Sequence, residues 1–477
     1  MSNKKQNDAT LEKKEENLAD KLFYKKKNYF EESDEKDIEK CYKFADEYKN
    51  FINISKTERE TCKNAVEIVK QAGFKEFKFG DKLKVGDKRY YVNRDKSIAV
   101  FKIGKNNLEE HGIKILGAHI DSPRIDLKQN PMYEDSGFCF FKTHYYGGIK
   151  KYQWTTIPLA LHGTIIRKDG TSVNVVIGED ENDPIFYIND LLPHLGQEQM
   201  MSNGYKIITG EQLNLVIGGK AYKGEKIKDK IKLNVLAILN EKYGILEEDF
   251  LSSELCAVPA YKARDIGFDR AFIGGYGHDD KSCAYPALRA ILDTKSDDTI
   301  LTLLVDKEEI GSEGNTGMKS KVYEDLMDEI SESLKCTPRK VRAKSKCLSA
   351  DVTSCFDPNF PNVYERMNAS MISCGASINK FTGSGGKSSA NDASAEFMGE
   401  IRKIFRDTDV IYQTSELGKV DLGGGGTIAK YVAQLNIDTI DIGVPVISMH
   451  APYELISKAD LYNTYKAFCC FVNKPFA

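Results

Sequence analysis

Seven histidines occur in 477 residues, and two of them close strongly apolar stretches. His119 lies in KILGAHIDSPR and His450 in VPVISMHAPYE. An imidazole at the end of a buried strand is either a satisfied core group or a ligand. The carboxylates around these two favour the second reading. Side chains on a strand repeat every two residues, so His119 and Asp121 can share one face. Asp121 would then hold the second ring nitrogen, fix the tautomer and make the ring a better ligand. The competing reading is a surface turn begun by Asp-Ser-Pro.

Three acidic clusters accompany the histidines. LLVDKEEIGSEG ends an apolar strand and then places Glu308 beside Glu309. Adjacent carboxylates often mark a solvated surface. Next to a core strand they can divide labour, one binding a metal and the other taking a proton from water. Asp279 and Asp280, in GYGHDDKSC, stand at a helix entrance, where carboxylates also serve as caps. Asp351, in SADVTSCFDP, follows a short strand and has the same two readings. Together the set suits two Zn²⁺ ions with nitrogen and oxygen ligands, and Co²⁺ or Mn²⁺ would also accept it. Two such ions polarise a carbonyl, acidify a water and clamp a tetrahedral intermediate.

Other chemistries lack their signatures. HExxH and GxSxG are absent. GSGGKSS contains GKS, but Phe381 occupies the position where a Walker loop needs its first glycine. The run Gly423–Gly426 lacks the strand–GxGxxG–helix setting of a dinucleotide site. It reads as a loop that lets backbone approach something closely. Cysteine–histidine catalysis has no local signature.

The elements that position these groups alternate between strand and helix. Helices are expected over 23–50, 58–72, 282–292, 325–334, 391–402 and 455–471. Strands are expected over 97–103, 113–120, 300–305, 347–350 and 442–449, the last ending at His450. Between 153 and 250 the pattern turns β-rich, with pieces at 159–166, 173–177, 185–188 and 231–238 and a hairpin turn at Asp169-Gly170. We therefore expect a discontinuous α/β domain, residues 1–152 and 251–477, interrupted by a β-rich insertion at 153–250. Polar groups at strand ends are where open α/β sheets place their sites.

Composition bounds the rest. The chain is 41% hydrophobic and 29% charged, the balance of a globular protein of two to four domains at roughly 100–200 residues each. Its 68 basic and 71 acidic side chains give a net charge of −3, with no field to attract nucleic acid or an anionic membrane. Apolar runs stop near about ten residues, short of a membrane span. The opening MSNKKQNDATLEKKEEN has no apolar stretch of the kind a secretory signal needs. Eleven scattered cysteines read as buried free thiols and favour a reducing cytoplasm.

These motifs together resemble the M18 family of metalloaminopeptidases, the aspartyl aminopeptidase and aminopeptidase I type. The resemblance runs from about residue 10 to the end. It rests on AHIDSPR at 118–124, THYYGG at 143–148, DKEEIGSEG at 306–314, SADVTSCFDPNFP at 349–361 and SMHAPYE at 448–454. It implies a zinc-peptidase (phosphorylase/hydrolase-like) mixed-sheet α/β domain with an inserted β-rich dimerisation domain. It implies that His119 and Asp351 hold one zinc, that Glu309 and His450 hold the other, and that Asp279, in preference to Asp280, bridges them. Glu308 would be the general base and Asp121 the partner of His119. The implied reaction removes the N-terminal residue of short peptides. Deacylation or dipeptide cleavage would use the same metals, and a non-catalytic assembly protein is the alternative of a different class.

The family also implies dimers that build a tetrahedral dodecamer. His194, in NDLLPHL, would reach a neighbouring subunit's site to steady the oxyanion. The alternative is a loop histidine without a role. Lys380, with Lys387 nearby, is the positional match for a basic residue that selects acidic side chains, while a neutral residue such as leucine remains open. Many members carry an Asp-Arg pair where this chain has Thr155 and Thr156.

Overall fold

The computed structural model describes residues 18–224 and 226–474. Its largest sheet has nine strands. At its centre Ile113–His119 lies between two parallel neighbours, Thr299–Val305 and Lys346–Ala350. Every residue of Ile113–His119 and of Thr299–Val305 is buried. Both faces are covered, as near-continuous apolar strands in a parallel arrangement require. Leu116 and Ala118 face one core with Leu288 and Phe468, while Ile113 and Ile115 face another with Leu326 and Val432. Because the three strands run the same way, the segments after His119, Val305 and Ala350 emerge at one edge.

A second sheet has seven antiparallel strands. Its order is Ser172–Ile177, Leu159–Ile166, Ser253–Pro259, Arg124–Asp135, Phe138–Tyr146, Leu215–Gly218 and Tyr187–Ile188. Strands from 124–146 and 253–259 belong to it, so the compositional boundaries 153 and 250 fall inside this sheet. The Arg124–Asp135 strand is mostly half-buried or exposed and holds no apolar run that would announce it.

The expected strand at 231–238 is instead the helix Lys230–Tyr243. Ile231, Val235, Leu239 and Tyr243 repeat every four residues and pack on the core of the second sheet. Gly244, left-handed at φ 67°, ends the helix. The expected strand 442–449 is also divided. Asp438–Gly443 stays in the large sheet, and Pro445–Ile447 joins a third. That five-stranded sheet combines Arg264–Ile266, Phe272–Gly275, Glu454–Ser457, Pro445–Ile447 and Thr353–Ser354. It ties together the segments that carry Asp279, Asp351 and His450.

A buried ionic cluster joins the second sheet to the N-terminal helices. His162 is 2% exposed, and its ring donates to Glu60 (2.7 Å) and Glu179 (2.9 Å). Lys56 reaches Glu179 at 2.6 Å. Burial pulls the His162 imidazolium down, but the two carboxylates hold it above its ordinary value. Burial raises Glu60 and Glu179, and His162 outweighs it, so both lie below theirs. The raised histidine contributes stability that is full below about pH 6.5 and fades as pH climbs through its folded value. The lowered carboxylates contribute above about pH 4.3 and fade as pH falls. His162→Leu should cost about 1–3 kcal/mol near pH 6, because Glu60 loses its charged partner while Glu179 keeps Lys56. Urea unfolding across pH checks this, with the gap to wild type narrowing on both sides of that window.

Candidate metal centre

His119 is the last residue of its strand. Glu308 and Glu309 form a short turn just beyond Val305, and Asp351 directly follows Ala350. Asp279 sits at the head of the helix His278–Asp293, where its backbone and that of Asp280 are not yet helical. His450 follows the Pro445–Ile447 strand, at a left-handed φ of 65°.

These residues converge. His119 Nε2 lies 3.1 Å from Asp279 Oδ1 and 3.8 Å from Asp351 Oδ1. His450 Nε2 lies 3.1 Å from Asp279 Oδ2 and 3.5 Å from Glu309 Oε2. Two groups result, His119–Asp279–Asp351 and Asp279–Glu309–His450, each with its donor atoms within 4.8 Å of one another. Asp279 belongs to both. Asp280 does not, since its Oδ2 accepts from the His119 backbone N–H at 3.3 Å.

Both imidazoles have Nδ1 occupied. His119 Nδ1 donates to the Asp121 carbonyl at 3.0 Å, with the Asp121 carboxylate at 3.3 Å. His450 Nδ1 donates to the Gly148 carbonyl at 2.7 Å. In the neutral ring this leaves the lone pair on Nε2, which faces the carboxylates. Asp121 also accepts from the backbone N–H groups of Glu308 (3.1 Å) and Glu309 (3.2 Å).

The arrangement fits divalent cations. Ligands about 2.0–2.1 Å from one tetrahedral ion stand roughly 3.3 Å apart, close to the separations seen here. Glu309 Oε1 is buried with no hydrogen-bond partner. Burial and the Asp351 charge push the Glu308 carboxyl up to about 8, and burial with Asp279 raises Glu309 well above its usual range. Burial opposes the charge on His450, yet Asp279 and Glu309 carry it up to about 11. A patch this rich in crowded carboxylates is one that a cation stabilises, and its N/O donor set suits zinc.

The centre opens into a cavity of about 630 Å³ lined by Asp279, Glu308, Glu309, Asp351 and His450. Glycines 424–426 also line it. At Gly424 (φ 113°) a Cβ would come within 2.5 Å of the Gly383 carbonyl oxygen, so glycine is required for this close approach.

Two expected site residues stand apart. His194 is exposed and does not line the cavity. Lys380 pairs with Asp392, which Lys387 also approaches at 3.2 Å, and neither lysine lines the cavity. Glu454 was not anticipated. Its carboxylate accepts from the backbone N–H of His450 (2.8 Å) and of Asp279 (3.2 Å), fixing two donors at once. Its place at the end of SMHAPYE was the only available signal, because a carboxylate that binds backbone leaves no spacing pattern.

Comparisons with known proteins place the chain in a family. The family model described as aminopeptidase I zinc metalloprotease (M18) matches residues 51–472. A Clostridium acetobutylicum protein described as a probable M18 family aminopeptidase 1 is 48% identical over 465 residues, 96% of this chain and 100% of that protein. The crystal structure of an M18-family aminopeptidase from Thermotoga maritima superposes with a TM-score of 0.91 at 42% identity, covering 95% of this chain and 100% of that one. The S. cerevisiae mApe1 dodecamer shares the fold at a TM-score of 0.73 and 21% identity, covering 90% of this chain and 96% of that one. The chain belongs to the M18 family of zinc metalloproteases and is an aminopeptidase, a hydrolase acting on N-terminal peptide bonds.

Proposed function

We propose that the enzyme is dinuclear and removes N-terminal residues from short peptides with Glu308 as its base. The observation that carries this reading is Asp279, shared between two nitrogen–oxygen donor groups. His119 and Asp351 would hold one cation, Glu309 and His450 the other, and Asp279 both. When bound, the cations supply Lewis acidity and lower the pKa of water. Glu308 takes the proton of the attacking water and returns it to the leaving amine. Asp121 keeps His119 turned so that Nε2 faces the centre. A free substrate α-amine would be held by a cation or by a remaining carboxylate of the cavity, which suits an exopeptidase. Neither Lys380 nor Lys387 lines the cavity, which favours neutral over acidic N-terminal side chains.

Assembly follows the same reading. His194 is exposed among exposed apolar neighbours, Leu191, Leu192 and Leu195, an apolar run that a partner subunit would cover. We assign the second sheet to dimer contacts, with His194 reaching the neighbouring site to steady the oxyanion. The dodecamer of the yeast relative supports a tetrahedral dodecamer of dimers. All eleven cysteines are free, which supports a reducing cytoplasm. Among the described residues no helix is long and apolar enough to cross a membrane.

Zinc-reconstituted enzyme assayed on a panel of peptides, free and N-acetylated, tests the function. Free peptides should lose their first residue and acetylated ones should be inert. Turnover of the acetylated set would replace this reading with deacylation. In the same assay His194→Phe should lower kcat by about 10²–10³, the cost of one oxyanion donor, with metal content unchanged. Unchanged kinetics would remove the cross-subunit role.

A further inference from the structure

The THYYGG segment touches the metal centre at three places. The Tyr146 hydroxyl donates to Asp121 Oδ2 at 2.8 Å. Gly147 (φ 78°) lies against Glu309, where an added Cβ would stand 3.2 Å from Oε2. The Gly148 carbonyl receives His450 Nδ1. One strand end of the second sheet therefore braces both imidazoles, His450 directly and His119 through Asp121.

Tyr146 is itself held. Its ring lies 4.0 Å from the Arg124 guanidinium, and Arg124 is fixed by Glu58 (3.0 Å) and Asp126 (2.7 Å). The hydroxyl is thus aimed by packing and charge at a carboxylate that is 0% exposed. That carboxylate faces His119 and accepts from the backbone of Glu308 and Glu309. Without the hydroxyl, Asp121 loses the side-chain donor that holds Oδ2. Its rotation would then be shared between the imidazole and the turn that presents Glu308 and Glu309.

We propose that Tyr146 is a positioning residue of the metal centre, acting through Asp121 on His119 and on the Glu308–Glu309 turn. This rests on the metalloaminopeptidase reading. Partners of this kind commonly change metal affinity or activity 10–100-fold when removed.

Tyr146→Phe tests it, because the ring over Arg124 is kept and only the hydroxyl is lost. Zinc affinity is measured by competition with a chelating indicator, alongside kcat and KM. We expect zinc held about 10–100-fold more weakly and kcat lowered with KM near wild type. Tyr29→Phe, which removes a 3.0 Å hydrogen bond to Asp37 in the N-terminal helices, should leave zinc affinity unchanged. In a double-variant cycle, Tyr146→Phe should cost no further zinc affinity once Asp121→Ala has removed its acceptor. Wild-type zinc affinity in Tyr146→Phe overturns the proposal, even if the metal-free protein unfolds more easily. Additive losses in the cycle also overturn it. A wild-type enzyme that neither binds zinc nor releases N-terminal residues would instead remove the aminopeptidase reading itself.

Discussion

Glu308→Gln is expected to retain its metal and to lose about 10²–10⁴ of its turnover, the usual contribution of a general base. At about 1.36 kcal/mol per decade, that is roughly 3–5 kcal/mol of transition-state stabilisation. The two halves of this expectation have separate structural reasons. Glu308 belongs to neither donor group, so its charge is not needed to hold a cation. It nevertheless lines the cavity beside Asp279 and Asp351, and its backbone is fixed by Asp121. Burial and Asp351 push its carboxyl up to about 8 in the metal-free chain. Positive charge nearby favours the ionised form, so a loaded centre keeps Glu308 ready to accept a proton near neutrality. Glutamine preserves its shape and packing but cannot take that proton. Metal content after gel filtration, measured beside kcat, separates the halves. Full turnover would move the base to another group, and lost metal would make Glu308 a ligand.

The residues that were legible in the sequence are those whose surroundings are continuous along the chain. His119, Glu308, Glu309 and Asp351 each follow an apolar strand buried on both sides, and such a strand announces itself by composition. Asp279 was harder, because an acidic residue at a helix start reads equally as a cap, and only the fold turns it between two imidazoles. The third sheet was not readable, since its strands are two to four residues long and one of its joins, Phe272 to Ser457, spans 185 positions. The same holds for Glu454 and Tyr146, each of which reaches a distant segment through one hydrogen bond, to Asp279 and to Asp121. The helix Lys230–Tyr243 was misread because its β-branched and leucine residues suit a strand as well as a helix. Only their spacing of four, against the apolar face of the second sheet, settles it.

Asp279→Ala should weaken both cation sites together, and this is the sharpest distinction between a dinuclear centre and two independent ones. Asp279 directs Oδ1 toward His119 and Oδ2 toward His450, and among the described residues no other side chain belongs to both groups. His450→Ala, by contrast, removes a donor from one group only. A bound ligand stabilises the folded chain by about 4 kcal/mol when present at a thousand times its dissociation constant. That gain should vanish in Asp279→Ala and survive in part in His450→Ala. The metal-free proteins need measuring too, because burial opposes the Asp279 charge while His119 and His450 hold its carboxyl below the usual range. Its loss therefore strands two imidazoles and lowers stability before any metal is added. Subtracting zinc-free from zinc-loaded melting temperatures isolates the contribution of binding, and calorimetric titration gives the number of ions. Two ions retained with near wild-type affinity in Asp279→Ala would mean that the carboxylate pairs with the histidines without bridging cations, and the bridging role of Asp279 would fall.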